Sequence, residues 1–245
     1  MRAQFDASGD VIVITGGANG IGRALALACA KIGAKIVVCD VDESAAATLV
    51  AENAAIEFVR LDVSDRAAVF AAFAGIEQRH GRIDGMVCGA AIQPRVDIHA
   101  TEEALWRRVL DINLNGVVWC YQAAIGGMIR RRRGSIIAFS SGLAATGWPK
   151  ASAYSATKGA LVAFIRSAGK EVAEHRVRVN LVAPGVIDTP QYRAANAGAD
   201  HGHWQGTTGV GTPEDAIGPL LFMLSDAASM TASIVSRDYA YAAQE

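Results

Sequence analysis

The segment Val-Ile-Val-Ile-Thr-Gly-Gly-Ala-Asn-Gly-Ile-Gly, residues Val11–Gly22, joins an apolar run of mostly β-branched residues to a cluster of glycines. The apolar run is typical of a buried β-strand, and the periodic pattern that follows predicts a helix. Glycines let the backbone turn sharply and come close to a ligand. A helix N-terminus offers free N–H groups to an anion. The segment therefore predicts a dinucleotide site, and a glycine-rich turn without a ligand is the alternative.

This segment opens a chain in which short apolar runs alternate with longer helical patterns. Strands are predicted at Val11–Thr15, Lys35–Asp40, Ile56–Leu61, Gly85–Ala90, Ser135–Ser140, Arg178–Ala183 and Ser233–Asp238. Helices are predicted at Ile21–Ile32, Glu43–Asn53, Arg66–His80, Glu102–Arg132, Ala153–Glu174 and Pro213–Leu224. Strands that are apolar throughout are covered on both faces, and right-handed crossovers leave few topologies. We expect an α/β, single-domain Rossmann fold over residues 1–245, with a doubly wound seven-stranded parallel sheet and helices on both faces.

Composition argues against several classes of function. The 245 residues are 51% hydrophobic and 19% charged, and the formal net charge of −1 attracts neither nucleic acid nor an anionic membrane. The basic run Arg130–Arg133 is interpreted as a solvated helix end, with phosphate binding as the alternative. No secretory signal or membrane-spanning stretch is evident, and the four cysteines lack the spacing of a disulfide framework or a zinc site. We therefore expect a cytoplasmic protein without a metal.

Two aspartates follow predicted strands on the nucleotide side. Asp40 ends the second strand, where a carboxylate can accept hydrogen bonds from the ribose hydroxyls of NAD and repel the 2′-phosphate of NADP. Positions 17–19 and 41–43 hold no Lys or Arg that would neutralise that phosphate. A polar strand end or helix cap is the alternative for Asp40. Asp62, followed by Val63, is a candidate for the adenine edge, or else an N-cap or turn aspartate.

Tyr154 and Lys158 lie four residues apart at the start of a predicted helix. Residues at this spacing share one helix face and can act on the same ligand. A tyrosine phenol titrates near 10, and a nearby ammonium group lowers its pKa towards the working range of a general base. The pair therefore predicts an acid/base centre, although a plain surface pair is the default for an isolated match.

Five motifs in this order and spacing resemble the short-chain dehydrogenase/reductase family over nearly the whole chain. They are Thr15-Gly16-x-x-x-Gly20-Ile21-Gly22, Asn113, Ser140-Ser141, Tyr154-x-x-x-Lys158 and Pro184-Gly185-x-x-x-Thr189. The resemblance implies an NAD-dependent oxidoreductase that acts on a carbon bearing a hydroxyl or carbonyl. It also implies a homotetramer, in which the helices at 102–132 and 153–174 pair between subunits.

The resemblance implies four catalytic residues. Tyr154 would exchange the proton of the substrate hydroxyl, and Lys158 would lower its pKa and bind the nicotinamide ribose. Ser141, preferred to Ser140 because it lies thirteen residues before Tyr154, would hydrogen-bond the substrate oxygen. Asn113 would hold a water that links Lys158 to solvent, with a backbone-bonding role as its alternative. Cofactor binding is expected at Gly16, Asn19, Gly20, Ile21, Gly22, Asp40, Asp62, Val63, Ala90, Tyr154, Lys158, Pro184, Gly185, Ile187 and Thr189.

The sequence departs from the family pattern in two places. Where the family usually has Asn-Asn-Ala-Gly, this chain reads Cys-Gly-Ala-Ala at Cys88–Ala91. Backbone groups or water must replace the bonds of the lost asparagine amides, so the details of the adenosine pocket are expected to differ. Where the family often has Asp-Gly-Gly, the chain reads Asp-Tyr-Ala at Asp238–Ala240, which suggests altered packing at the chain end.

The segment 189–212 shows no clear periodicity and is interpreted as a substrate lid. Polar and aromatic residues are expected around the substrate at Gln93, Pro94, Arg95, His99, Thr146, Gly147, Trp148, Gln191, Tyr192, Arg193, Asn196, His201, His203 and Trp204. Because an apolar substrate needs an apolar lining, we expect a small polar secondary alcohol or its ketone: a polyol, a sugar or a hydroxy acid. The two histidines alone are a weak metal motif. A non-catalytic nucleotide-binding protein and a carrier-linked ketoacyl reductase are the alternative functions, and Asp40 argues against the second.

Overall fold

The structure, a computed structural model, describes residues 3–198 and 209–237. Its seven strands form one parallel sheet in the order β3-β2-β1-β4-β5-β6-β7. They are β1 Val11–Thr15, β2 Lys35–Asp40, β3 Ile56–Arg60, β4 Gly85–Cys88, β5 Gly134–Phe139, β6 Val177–Ala183 and β7 Ile234–Ser236. The predicted doubly wound Rossmann sheet is confirmed. The order reverses between β1 and β4, and ligands bind at such a switch point in open α/β sheets.

Helices cover both faces of the sheet. They are α1 Gly20–Lys31, α2 Glu43–Glu52, α3 Arg66–His80, α4 Glu103–Leu110, α5 Gly116–Arg131, α6 Leu143–Thr146, α7 Ser152–Glu171, α8 Pro190–Ala195 and α9 Ile217–Leu224. Short 3₁₀ turns lie at Ile98–Ala100, Ala173–His175 and Pro213–Ala216. One buried cluster packs α3, α5 and α7 on one face of the sheet, and a second packs α1, α2 and α9 on the other. None of the helices described is long and apolar enough to cross a membrane.

The predicted helix over 102–132 is confirmed as continuous helical backbone from Glu103 to Arg131, but it is not α-helical throughout. A π-helical turn at Asp111–Asn115 separates α4 from α5. The buried Asn113 lies in this turn, and its side-chain amide pairs with the backbone of Ile92: the amide nitrogen donates to the carbonyl at 2.9 Å, and the amide oxygen accepts from the N–H at 2.8 Å. Because Ile92 lies far away in sequence, helical periodicity gave no sign of this contact.

The segment after β6 is more ordered at its start than its pattern suggests. It begins with α8, and the Thr189 hydroxyl caps that helix by accepting from the N–H of Tyr192 at 3.1 Å. Thr at the N-cap followed by Pro190 at the first helical position is a recognisable helix start. The backbone of Gly211 then pairs with Val186 and Asp188, which joins the two ends of the segment.

The basic run ends α5 as expected, but three of its members are not merely solvated, and Arg132 donates to the carbonyl of Glu174 at 2.8 Å. Arg131 donates to the carbonyl of Ile83 at 2.8 Å. Arg133 pairs with Asp10 at 2.9 Å and with Asp84 at 3.3 Å, at the end of the sheet opposite the nucleotide turn. These side chains tie α5 to the amino ends of the strands, so a structural role replaces the solvated one for Arg131 and Arg133.

Candidate active site

A cleft of about 860 Å³ opens at the carboxyl ends of the strands. Every residue predicted to bind the cofactor lines it, and so does Ser141. Asn113 does not line the cleft, because it is fully buried behind the segment that follows β4. The sequence motifs, which are spread over most of the chain, therefore meet in one place.

The glycine turn forms a close-packed cradle at one end of this cleft. Gly16 has a φ of +66°, and a Cβ there would lie 2.6 Å from the backbone nitrogen of Ala90. A Cβ on Gly22 would overlap the carbonyl oxygen of Gly16. Gly20 has a φ of +53° and faces the Thr189 side chain. Only glycine fits at Gly16 without strain, and the turn leads directly into the N-terminus of α1, so these residues fit a dinucleotide pyrophosphate.

The carboxylate of Asp40 is fixed at the end of β2. One oxygen accepts from the N–H of Ala18 at 3.0 Å, and the other accepts from Val41 at 2.7 Å and Asp42 at 3.1 Å. Sequence reasoning missed the second acid, Asp42, which accepts from the amide of Asn19 at 2.9 Å. Backbone and Asn19 hydrogen bonds lower the pKa of Asp42. Asp40 lines the cleft, and Asp42 lies two residues further along the chain, where it caps α2.

Asp62 is engaged by its neighbours although it lines the cleft. One oxygen accepts from the N–H and the hydroxyl of Ser64, and the other accepts from Nη2 of Arg108 at 3.0 Å. Burial raises the pKa of Asp62, but these hydrogen bonds and the charge of Arg108 together lower it by more than burial raises it. The carboxyl group therefore stays ionised. The turn role of Asp62 is therefore compatible with its expected role at the adenine edge of the cofactor. Arg108, which also lines the cleft, was missed by sequence reasoning.

Tyr154 is buried and lines the cleft together with Ser141. Burial raises the pKa of the Tyr154 phenol, and the hydrogen bond with Ser141 and the charge of Arg95 act in the opposite direction without cancelling it. Lys158 is not among these influences, so the lowering of the Tyr154 pKa by Lys158 stays a prediction for the enzyme with NAD bound. The geometry separates the two serines, because Ser140 donates its hydroxyl to the carbonyl of Lys158 at 3.2 Å while Ser141, which lines the cleft with Tyr154, accepts from the N–H of Leu143 at 3.2 Å.

Lys158 is buried one helical turn after Tyr154. Its Nζ lies 5.5 Å from the centre of the Tyr154 ring and donates to the carbonyl of Phe139 at 2.8 Å. Burial lowers the pKa of Lys158 to about 8. The ammonium group of Lys158 therefore lies between the phenol ring of Tyr154 and the end of β5. Because it is bound to Phe139, it is not positioned at the phenol oxygen.

Backbone groups, one of the two expected replacements, compensate for the departure from the family pattern at Cys88–Ala91. The N–H of Gly89 donates to the carbonyl of Thr15 at 2.9 Å, which ties β4 to β1 just before the glycine turn. A Cβ at Gly89 would lie 2.8 Å from the same carbonyl oxygen. The Cys88 thiol is buried in the same apolar cluster as Cys120. The close strand approach thus replaces a side-chain bridge. Asp238–Ala240 lies outside the described residues.

The predicted substrate residues are only partly brought together. The cleft is lined by Gln93, Arg95, Thr146, Gln191, Tyr192 and Asn196 but not by Pro94, His99, Gly147, Trp148 or Arg193. Arg193 instead forms a bidentate ion pair with Asp188, with both distances 2.7 Å. His201, His203 and Trp204 lie outside the described residues, and among residues 3–198 and 209–237 no group of three His, Cys, Asp or Glu could hold a metal.

Comparison with known proteins identifies the family. The short chain dehydrogenase model matches residues 10–200, and the chain belongs to this family. It is 34% identical to 2-(S)-hydroxypropyl-CoM dehydrogenase 3 of Xanthobacter autotrophicus, over 90% of this chain and 91% of that protein. It is 36% identical to cis-4-hydroxycyclohexanecarboxylate dehydrogenase of Sinomonas cyclohexanicum, over 95% and 96%. The crystal structure of levodione reductase matches with a TM-score of 0.89 and 28% identity, over 94% and 96%. The protein is therefore an oxidoreductase that acts on CH–OH groups.

Proposed function

We propose that this protein is an NAD-dependent dehydrogenase that interconverts a small polar secondary alcohol and its ketone, with Tyr154 as the acid/base. The observation that carries the proposal is that Tyr154, Ser141 and the buried Lys158 line the same cleft as the glycine turn, with the Lys158 Nζ 5.5 Å from the centre of the Tyr154 ring. A protein that only binds nucleotide has no need of a phenol in this position, so the arrangement favours an enzyme.

Each residue has a separate chemical role in the proposed reaction. Ser141 donates a hydrogen bond to the oxygen of the reacting carbon, where negative charge develops. Tyr154 takes the hydroxyl proton in oxidation and returns it in reduction. Lys158 holds the nicotinamide ribose and supplies positive charge close to the phenol. Bound NAD supplies the hydride acceptor, and its oxidised ring adds positive charge that favours the phenolate. Asn113 positions the segment after β4 through Ile92.

The choice of NAD rests on the acidic end of the cleft. Asp40 lines the cleft and is fixed by three backbone N–H groups, so a 2′-phosphate would meet its negative charge. This also argues against a carrier-linked ketoacyl reductase, since reductive synthesis of that kind usually draws on NADP.

The polar substrate rests on the side chains around Tyr154. Gln93, Arg95, Tyr192 and Asn196 bring donors and acceptors to the cleft, and unmatched buried donors disfavour apolar ligands. The segment 189–212 is the proposed lid over this region. One relative is named for a hydroxycarboxylate and another for a hydroxypropyl compound, which agrees with a secondary alcohol that carries a further polar group.

The test is a screen of the purified protein for NAD reduction with polyols, sugars, hydroxy acids, aryl alcohols, aliphatic alcohols and steroid alcohols. We expect the highest kcat/KM among the polyols, sugars and hydroxy acids. A much higher kcat/KM for aliphatic or steroid alcohols contradicts the polar substrate. NAD binding without turnover of any alcohol or ketone supports the nucleotide-binding alternative.

A further inference from the structure

The segment after β4 brings an arginine into the catalytic end of the cleft. Arg95 lines the cleft three residues after Ile92, whose backbone Asn113 holds. Its Nη2 donates to the side-chain oxygen of Asn196, at the end of α8, at 3.2 Å. Its charge reaches the phenol of Tyr154 and lowers the pKa there. The guanidinium group of Arg95 thus lies between Tyr154 and Asn196, which belongs to the proposed lid.

One nitrogen of Arg95 lacks a partner. Nη1 is buried and has no hydrogen-bond partner within the described part of the chain. A guanidinium group carries five N–H donors, and leaving a buried donor without an acceptor is unfavourable. Such a group in a cleft indicates an acceptor that arrives with a ligand.

Three arginines line the cleft, and they differ in their charge partners. Arg108 pairs with Asp62 at 3.0 Å, and Arg237 lies 3.8 Å from Asp215. Within residues 3–198 and 209–237, no carboxylate lies within ion-pair distance of Arg95. In the described part of the cleft, the arginine without a carboxylate partner is therefore Arg95, near Tyr154. The acid Asp40 lies at the other end of the cleft, where the ribose of the cofactor is expected.

We propose that Arg95 binds a carboxylate of the substrate, so that the substrate is a secondary hydroxy acid or the matching keto acid. A carboxylate accepts two parallel hydrogen bonds from a guanidinium group, and such charge-assisted pairs are strong and directional. Nη1 and the remaining N–H of Nη2 are the donors that face it. The inference rests on the proposed function, because it assigns the end of the substrate opposite the hydroxyl that Tyr154 and Ser141 hold.

Arg95 could instead serve only to favour the Tyr154 phenolate. The two roles differ in what they predict. A carboxylate anchor acts mainly on binding, and its removal affects acids far more than neutral substrates. A group that tunes the phenol affects every substrate alike and moves the pH dependence of kcat.

The experiment compares Arg95→Gln and Arg95→Lys with the wild type. The probes are 3-hydroxybutanoate and 5-hydroxyhexanoate, each beside its methyl ester, with kcat/KM measured over a range of pH at saturating NAD. Calorimetry with butanoate and hexanoate, which cannot be oxidised at a secondary hydroxyl, measures carboxylate binding to the NAD-loaded protein. Arg193→Gln is the matched control, because its guanidinium group pairs with Asp188 outside the cleft.

We expect Arg95→Gln to lower kcat/KM for the acids by about 30- to 1,000-fold, as is typical when one partner of a buried charge pair is removed. The esters lose much less than the acids, because they lack the carboxylate and are affected only through the pKa of Tyr154, and butanoate binding is lost. Arg95→Lys restores part of the binding, because an ammonium group keeps the charge but not the bidentate geometry. Arg193→Gln behaves as the wild type.

Equal losses for acids and esters, with a shifted pH profile, overturn the proposal in favour of the phenol-tuning role. Wild-type protein that binds no carboxylate, or that binds it equally well after Arg95→Gln, overturns it too. If butanoate binds through Arg95 but no acid, ester or other alcohol is oxidised, the carboxylate site stands and the proposed dehydrogenase function fails. If neutral alcohols are oxidised better than acids, the function stands and the carboxylate assignment fails.

Discussion

The Nζ of Lys158 donates to the carbonyl oxygen of Phe139 at 2.8 Å, which anchors the catalytic helix α7 to the end of β5. The hydrogen bond takes a cation into a buried position, and burial lowers its pKa to about 8. Burial of the Lys158 ammonium group therefore costs folding free energy, and this cost depends on pH.

Lys158→Met is expected to change the pH dependence of stability. The native pKa lies below the unfolded value, so the unfolded state binds more protons between these two values. Wild-type stability therefore gains from Lys158 as the pH rises above about 8, and the variant lacks this gain. The free energy of unfolding of the wild type minus that of the variant should rise by about 2 kcal/mol from pH 7 to pH 9.5. Urea unfolding of both proteins measures it, and a difference that stays constant contradicts the buried ammonium.

Tyr154→Phe should keep NAD binding and lower kcat by about 10²- to 10⁴-fold, because only the exchangeable proton is removed. Tyr121→Phe is the matched control. Tyr121 is also largely buried, but its hydroxyl faces the carbonyl of Ala168 at 3.4 Å and does not line the cleft. Steady-state kinetics and NAD titration measure both variants. Near-native turnover of Tyr154→Phe would remove Tyr154 from its proposed role.

Asp40→Ala should narrow the preference for NAD over NADP by about 10²-fold, because a like-charge contact with the 2′-phosphate costs several kcal/mol. Asp42→Ala should have a smaller effect in the same direction, since Asp42 lies beyond Asp40. Asp65→Ala is the control, because Asp65 caps α3 outside the cleft. The readout is kcat/KM for both cofactors. A wild type that uses NADP as well as NAD contradicts the role of Asp40.

Local patterns were sufficient to predict most of the fold. The bounds of β1, β2 and α3 are as predicted, since each is an apolar run or a periodic segment between turn residues or helix caps. The cleft residues were found because the carboxyl ends of parallel strands meet at one edge. Asn113 could be singled out by its motif, but the π-helical turn around it depends on Ile92, and no local pattern encodes a contact of that kind.

The charge environment of the site was less accessible to sequence reasoning. A tyrosine and a lysine four residues apart suggest that the lysine tunes the phenol, but Lys158 is directed to Phe139 and Arg95 affects Tyr154 instead. Arg95 was named only as one of several polar residues. Its buried, unpartnered nitrogen is visible only when the surrounding loops are in place.

Gly16→Ala should destabilise the protein by about 2–4 kcal/mol. The residue has a φ of +66°, and a Cβ would meet the backbone of Ala90, which cannot move without displacing β4. Gly218→Ala is the matched control, because Gly218 lies in α9 with open space around its Cβ position. That change should stabilise by about 0.5–1 kcal/mol. Urea unfolding compares the two, and equal effects contradict the close-packed turn.

The last prediction concerns assembly, which the family resemblance suggests is a homotetramer with the helices around 102–132 and 153–174 paired between subunits. On α7, Ala156 and Ala163 are exposed, and their spacing of seven residues puts them on one side of the helix. Small side chains allow a second helix to approach closely, and closed symmetry makes such a contact self-complementary.

Light scattering should give about four times the 25.6 kDa of one chain. Ala163→Arg should lower this mass, because each two-fold contact would then hold two added charges. Ala47→Arg, at an exposed position of α2, should leave it unchanged. A monomeric wild type at micromolar concentration contradicts the tetramer, and an unchanged mass for Ala163→Arg excludes this face of α7 as the contact.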